Sequence, residues 1–223
     1  MHVVVRQGHR TAVFRGFDAT LAGCWLVVNG GIDEETSHSW ELVGQRYAYD
    51  FVIDQEGRTY QGEGTRLEDY YAFGQPILAP ADGRVVQVRE GIRDYPRPLP
   101  LSGRIDWLTR DFRGNFVVID HGHQEYSFLA HLQRGSVRVR VGDKVSQGQI
   151  IGLCGNSGHS TEPHLHFHVQ DHPNMFLAVS LPVRFAGFRL SDDPETASRP
   201  EAYLSRGQRI VMPPTDQEPA LQT

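Results

Sequence analysis

Three histidines alternate with apolar residues in Pro163-His164-Leu165-His166-Phe167-His168-Val169. Side chains of an extended strand alternate between its two faces, so His164, His166 and His168 project together while Leu165, Phe167 and Val169 enter a core. Three imidazoles on one face form a surface for binding a metal or moving protons. Neutral imidazole is a good zinc ligand, and a catalytic zinc site takes three protein ligands and leaves a fourth position to water. The ion lowers the pKa of water toward neutrality and polarises a carbonyl oxygen. A hydrolase of this kind also needs groups that take up a proton and stabilise an oxyanion, work that a non-ligating histidine can do. The residues to look for are therefore a carboxylate ligand and a distant histidine.

Asp50 meets the first need. It lies in Gln45-Arg46-Tyr47-Ala48-Tyr49-Asp50-Phe51-Val52-Ile53, a run otherwise built to be buried. A buried carboxylate must be paired, protonated or bound to a cation, so Asp50 is either a ligand or a hydrogen-bonded structural residue. His131 meets the second, between core-type residues in Ser127-Phe128-Leu129-Ala130-His131-Leu132. Taken alone it reads first as a satisfied core histidine. Eight of the chain's 11 histidines fall between His121 and His172.

The rest of the composition narrows the partners. The 223 residues carry 22 basic and 27 acidic side chains, a net charge of −5. All the basic residues but Lys144 are arginines, dispersed along the chain, so no face is expected to attract nucleic acid. Runs such as Leu26-Val27-Val28 and Phe116 to Ile119 are far shorter than a membrane span, and the residues after Met1 show no charged segment, apolar core and cleavage site. A soluble chain without an export signal is expected. Cys24 and Cys154 each lie in apolar company and read as two buried thiols rather than a bridge.

The elements that must position these residues are short strands: Gly83 to Val88, Asn115 to Ile119, Ser136 to Val141 and Gln149 to Leu153, each β-branched or aromatic and bounded by Gly, Asp or Pro. No stretch of 12 residues has helical spacing with caps; Asp106 to Arg113 offers one or two turns at most. The expected fold is all-β and mostly antiparallel, a two-sheet sandwich or open barrel. Gln75 to Val86 and Val141 to Gly152 echo one another, each placing a Gly/Asp turn beside a Val/Ile strand, the hairpin layout of lipoyl- and biotin-carrier domains. Lys144 lies in a turn leading into a strand rather than at a hairpin tip, which sets the carrier function itself aside.

The chain divides into an N-terminal β extension or lid (1–44, with strands at Val3 to Val5, Ala12 to Phe14 and Cys24 to Val28), a central block (45–171), a C-terminal β extension (172–212, with a strand pair in Ala178 to Phe185) and a disordered tail (213–223). The patternless stretch from Arg89 to Gly114 reads as a groove wall or lid.

These residues resemble a family. Gly155-Asn156-Ser157-Gly158-His159-Ser160-Thr161-Glu162-Pro163-His164-Leu165-His166-Phe167, preceded by Val141-Gly142-Asp143-Lys144-Val145 and Gly148 to Gly152, looks like the signature of the lysostaphin-type (LytM-type) zinc metallopeptidases. Ala79 to Val86, Gly114 to Gly122 and Leu129-Ala130-His131-Leu132 match in order and spacing, so the resemblance covers about residues 45 to 170. It implies a zinc endopeptidase that cuts stem or cross-bridge peptides of bacterial peptidoglycan by a metal-activated water, acting as a monomer in the cell envelope or outside the cell. It also implies that Asp50 and His166 are zinc ligands and that His131 and His164 are the two non-ligating catalytic histidines. His168 stands where the family usually has an acidic residue and receives no role; with His159 and His172 it reads as a groove or surface residue.

One position departs from the pattern. The family's first ligand is a histidine four residues before the aspartate, and here that residue is Arg46, whose guanidinium cannot ligate zinc. His38, twelve residues before Asp50, is the best substitute if the intervening segment folds back; its other reading is an exposed loop histidine. The alternative for the whole chain is a degenerate relative that binds or scaffolds peptidoglycan without cutting it.

Overall fold

A computed structural model describes residues 24–96, 111–185, 188–191 and 202–211. Their regular structure is twelve strands and one short 3-10 turn, Leu67–Asp69. The strands are β1 (Cys24–Asn29), β2 (Tyr49–Asp54), β3 (Pro76–Leu78), β4 (Gly83–Arg89), β5 (Asn115–Asp120), β6 (Tyr126–Leu132), β7 (Lys144–Val145), β8 (Ile150–Leu153), β9 (Leu165–Gln170), β10 (Ser180–Leu181), β11 (Arg189–Leu190) and β12 (Arg209–Val211). The all-β, antiparallel expectation holds. One open sheet runs β11-β12-β1-β2-β9-β6-β5-β4-β7, with β10 also on β9, and β3 and β8 form a second, two-stranded sheet.

Alternation along the central strands separates two apolar layers. Leu165, Phe167 and Val169 of β9, Val117 and Ile119 of β5, and Tyr49, Phe51 and Ile53 of β2 enter the main core. Phe116, Val118, Phe128 and Ala130 face the other way into a smaller cluster closed by Met175. Asp50, His166, His168 and Gln170 share that second face by the same alternation. The two echoing segments meet: β3 pairs with β8 and β4 with β7, so each copy completes its strands on the other.

Several expectations need correction. Ser136 to Val141 is not a strand, because its backbone donors go elsewhere: Val137 to the Glu90 carboxylate, Arg138 to the Ile151 carbonyl and Arg140 to the Asp143 carboxylate. The strand pair in Ala178 to Phe185 shrinks to Ser180–Leu181 on β9 and a single bridge from Phe185 to Ala202. Val3 to Val5, Ala12 to Phe14, most of Asp106 to Arg113 and the 213–223 tail lie outside the described residues, as does the side chain of Cys24. Cys154 is a free, buried thiol, and burial raises its pKa far above the usual range. Lys144 is exposed, on β7. Among the described residues no helix is long and apolar enough to cross a membrane.

The N-terminal end of the Arg89 to Gly114 stretch is tied down by carboxylates. Glu90 accepts from the backbone N–H groups of Gly135 and Val137, and Asp94 from those of Arg134 and Asn156.

Candidate active site

A groove of about 300 Å³ opens over the second face, and Asp50, His38, His131, His164 and His166 all line it. Asp50 and His166 sit directly opposite one another in the β2–β9 ladder, which places their side chains together; His166 Nδ1 lies 2.9 Å from Asp50 Oδ1. His38 Nε2 is 3.5 Å from Asp50 Oδ2, and His164 Nε2 is 3.7 Å from Oδ1. One ligand atom from each of His38, Asp50 and His166 can be chosen so that all lie within 4.8 Å of one another.

The loop that returns His38 to β2 is closed by the residue that breaks the resemblance. Arg46 donates from Nε to the Trp40 carbonyl and stacks on the Trp40 ring at 5.0 Å, while its own carbonyl accepts from Ser37 Oγ. His38 itself keeps 38% of its side-chain surface exposed, against 9% for Asp50 and His166.

Two β-bulges shape the rest of the site. Between β5 and β6 the register shifts so that Asn115 faces Leu132 and Phe116 faces Ala130, leaving His131 as the extra residue with φ of 61°. Strict alternation would send His131 to the main core beside Leu129; the bulge turns it into the groove and returns Leu132 to the core. Between β1 and β2 the shift falls at Val28, and Asn29 arrives opposite Asp50, donating from Nδ2 to Asp50 Oδ2 at 3.2 Å. Sequence reading missed Asn29. It stands before Gly30-Gly31, where it reads as a turn residue, and no local signal announces the bulge.

Hydrogen bonds settle the tautomers of the two outer histidines. A carbonyl only accepts, so His131 Nδ1 donates to Ser157 O (2.7 Å) and His164 Nδ1 to Glu162 O (2.8 Å). In their neutral forms both therefore carry a lone pair on Nε2. Ser157, fully buried, is fixed by donating to Leu132 O and accepting from the Asn115 N–H. The His131 and His164 rings are 4.7 Å apart.

Charge states follow from burial and neighbours. Burial first, then His164 and His166, hold His131 well below the usual histidine range, against the Ser157 carbonyl and Asp50. Burial alone would raise Asp50, but the His166 hydrogen bond and the nearby His164 and His38 outweigh it and hold the carboxyl well below the ordinary range. His38 is lowered by burial, opposed by Asp50. His168 does not lie at the surface: it is fully buried, stacked on Phe128 at 5.0 Å, and pushed down to about 3 by burial and then by His166. His159 lines the groove with Phe112, Arg113, Thr161 and Met175.

Two imidazole nitrogens and one carboxylate oxygen match the donors that zinc accepts, in the number that leaves a position open. The donor set fits a metal on a further ground. His168 occupies the Nε2 side of His166, so His166 turns Nδ1 to a carboxylate oxygen at 2.9 Å, a contact that calls for a cation or a proton between two acceptors.

The model of peptidase family M23 matches residues 64–176, a span that contains His131, His164 and His166 but neither Asp50 nor His38. Endolysin 2638A of Staphylococcus phage 2638A is 48% identical over 151 residues, covering 64% of this chain and 28% of the endolysin. Peptidoglycan DD-endopeptidase ShyA of Vibrio cholerae is 34% identical over 113 residues, covering 50% of this chain and 21% of that protein. The chain thus spans under a third of either relative's length. The catalytic domain of lysostaphin from Staphylococcus simulans aligns with a TM-score of 0.40 at 21% identity, over 71% of this chain and 88% of that one.

Proposed function

The chain belongs to peptidase family M23, and on that footing we propose that it is a zinc-dependent endopeptidase hydrolysing stem or cross-bridge peptides of bacterial peptidoglycan, in the cell envelope or outside the cell. The observation that carries this reading is the meeting of His38 Nε2, Asp50 and His166 Nδ1 in one groove with two further histidines, His131 and His164. His38, Asp50 and His166 are the residues that would hold zinc. Bound there, zinc supplies a Lewis acid that makes water more acidic and the scissile carbonyl more electrophilic.

The chain's own groups do the rest. A neutral imidazole with a free Nε2 is a general base at neutral pH, so one of His131 and His164 takes a proton from the attacking water as oxygen bonds to the carbonyl carbon. The other, in its doubly protonated form, donates from Nε2 to the oxygen on which negative charge develops. The proton then passes to the amide nitrogen as the C–N bond breaks, releasing an amine and a carboxylate. The bonds from Nδ1 to the Ser157 and Glu162 carbonyls hold both rings in orientation through this cycle. Asn29 donates to Oδ2 of Asp50 and so steadies the carboxylate that would help to hold the metal. We assign the catalytic unit to residues 45–171, with β1 and β10 to β12 as its extensions.

The test is to strip the full chain with a chelator, return about one equivalent of zinc, and incubate it with purified peptidoglycan, following new amino termini by mass spectrometry. Zinc-dependent release of peptides is expected. Retention of zinc and sedimentation with peptidoglycan without cleavage would replace this reading by the binding or scaffolding one.

A further inference from the structure

Beneath the groove, a file of hydrogen bonds runs down one face of β9. His166 Nε2 meets His168 Nδ1 at 3.2 Å, His168 Nε2 meets Gln170 Oε1 at 2.9 Å, and Gln170 Nε2 reaches the carbonyls of His172 and Pro173 at 2.7 and 3.2 Å. His168 and Gln170 are both fully buried, so no water competes for these bonds.

The file has one direction. Backbone carbonyls only accept, so Gln170 must turn its NH2 toward His172 and Pro173, which leaves its oxygen facing His168. His168 Nε2 therefore carries the proton and, in the neutral ring, Nδ1 is a lone pair. That lone pair accepts from His166 Nε2–H. In the neutral ring of His166 the lone pair is then on Nδ1, the atom that faces Asp50. Reversing the two histidine links would set the bare Nε2 of His168 against the Gln170 oxygen, and turning the amide as well would set that oxygen against two carbonyls.

We propose that His168 and Gln170 are positioning residues that hold the Nε2 proton of His166 in place, so that Nδ1 is the atom this side chain presents to Asp50 and to a metal. The proposal rests on the zinc centre proposed above. Second partners of a ligating histidine commonly set its tautomer and ring orientation, and a carboxylate acts as a single strong acceptor in that place. Here a neutral imidazole and an amide do the same work in two steps and add no negative charge beneath the metal. Stacking of His168 on Phe128 keeps its ring in the plane the file requires.

Ring-nitrogen NMR of the 15N-histidine-labelled full chain reads the file directly. In the metal-free protein, protons are expected on Nε2 of both His166 and His168, with a coupling across the N–H···N bond; a proton on His168 Nδ1 would overturn the proposal. Zinc competition titrations then test its consequence. Gln170→Met and His168→Phe should each weaken zinc binding by about 10- to 100-fold, with thermal melts confirming that they fold. His168→Glu, which restores an acceptor for His166 Nε2–H, should recover most of the loss. Equal losses in His168→Phe and His168→Glu would reduce His168 to packing, and wild-type affinity in both His168→Phe and Gln170→Met would sink the relay. A wild-type chain that shows the expected protons but binds no zinc would refute the metal reading and leave the file standing.

Discussion

Four adjacent strands build the site, and the inner pair differs from the outer pair. β2 and β9 run beside each other without interruption, and their unbroken register sets Asp50 against His166. β1 and β6 flank them, and each carries one extra residue, Val28 and His131. The inner pair supplies the carboxylate and imidazole proposed to hold the metal. The outer pair supplies Asn29, which steadies that carboxylate, and His131, which bonds no ligand candidate and keeps Nε2 free. Regular pairing fixes donors at a set spacing, whereas a bulge re-aims a side chain that alternation would have buried.

The largest expected effect separates the two pairs outright. Asp50→Ala should lose both stoichiometric zinc and cleavage, while His131→Ala keeps about one zinc and loses about 10²- to 10⁴-fold in kcat. Elemental analysis alongside the peptide-release assay decides it, and loss of zinc in His131→Ala would mean that the roles are exchanged. Acid comes next. His168 on the inner pair and His131 on the outer are held neutral, so an unfolded chain takes up protons that the folded one refuses. For His168, whose folded pKa is about 3 against 6.5 in the open chain, stability of the metal-free protein should be unaffected above 6.5 and fall by about 1.4 kcal/mol per pH unit below it. His168→Phe should flatten the slope of urea-measured stability between pH 6 and 4 by about one proton; an unchanged slope would show that His168 already charges in the fold.

Two smaller effects probe the bulges themselves. Asn29→Ala removes one hydrogen bond from Asp50, and a zinc titration should register a loss of about 10-fold; no change would detach Asn29 from the site. At His131 the backbone stands at φ 61°, a region that disfavours any side chain with a Cβ. His131→Gly should therefore be more stable than His131→Ala by about 1 kcal/mol in urea unfolding. Equal stabilities would mean that the bulge relaxes once the imidazole is gone.

Much of the inner pair is legible in the sequence. Period two in His164 to Val169 separates core from site residues, and Asp50 stands out as a carboxylate in an apolar run. The outer pair is not legible, since an inserted residue leaves no mark in a pattern that already tolerates mixed side chains. Hence His131 reads as a core histidine until the resemblance singles it out, and Asn29 reads as a turn. His168 misleads for a related reason: a histidine on the site face reads as groove-lining, but Phe128 covers it and Gln170 satisfies it. Ser136 to Val141 has the composition of a strand, yet strands require partners, and the Glu90 and Asp143 carboxylates and the Ile151 carbonyl took its donors. His38 could be named only as a substitute, because the Ser37, Trp40 and Arg46 contacts that bend its loop are tertiary.

The ends of the large sheet have their own consequence. Its terminal strands, β11 and β7, are two residues long, and β7 carries the chain's only lysine, exposed to solvent. A long open edge is a template on which another chain can add a strand, and brevity and a lysine are two of the means by which proteins deny it. The same sheet whose face is proposed to admit a peptide therefore gives a stranger's backbone little to pair with at its rims.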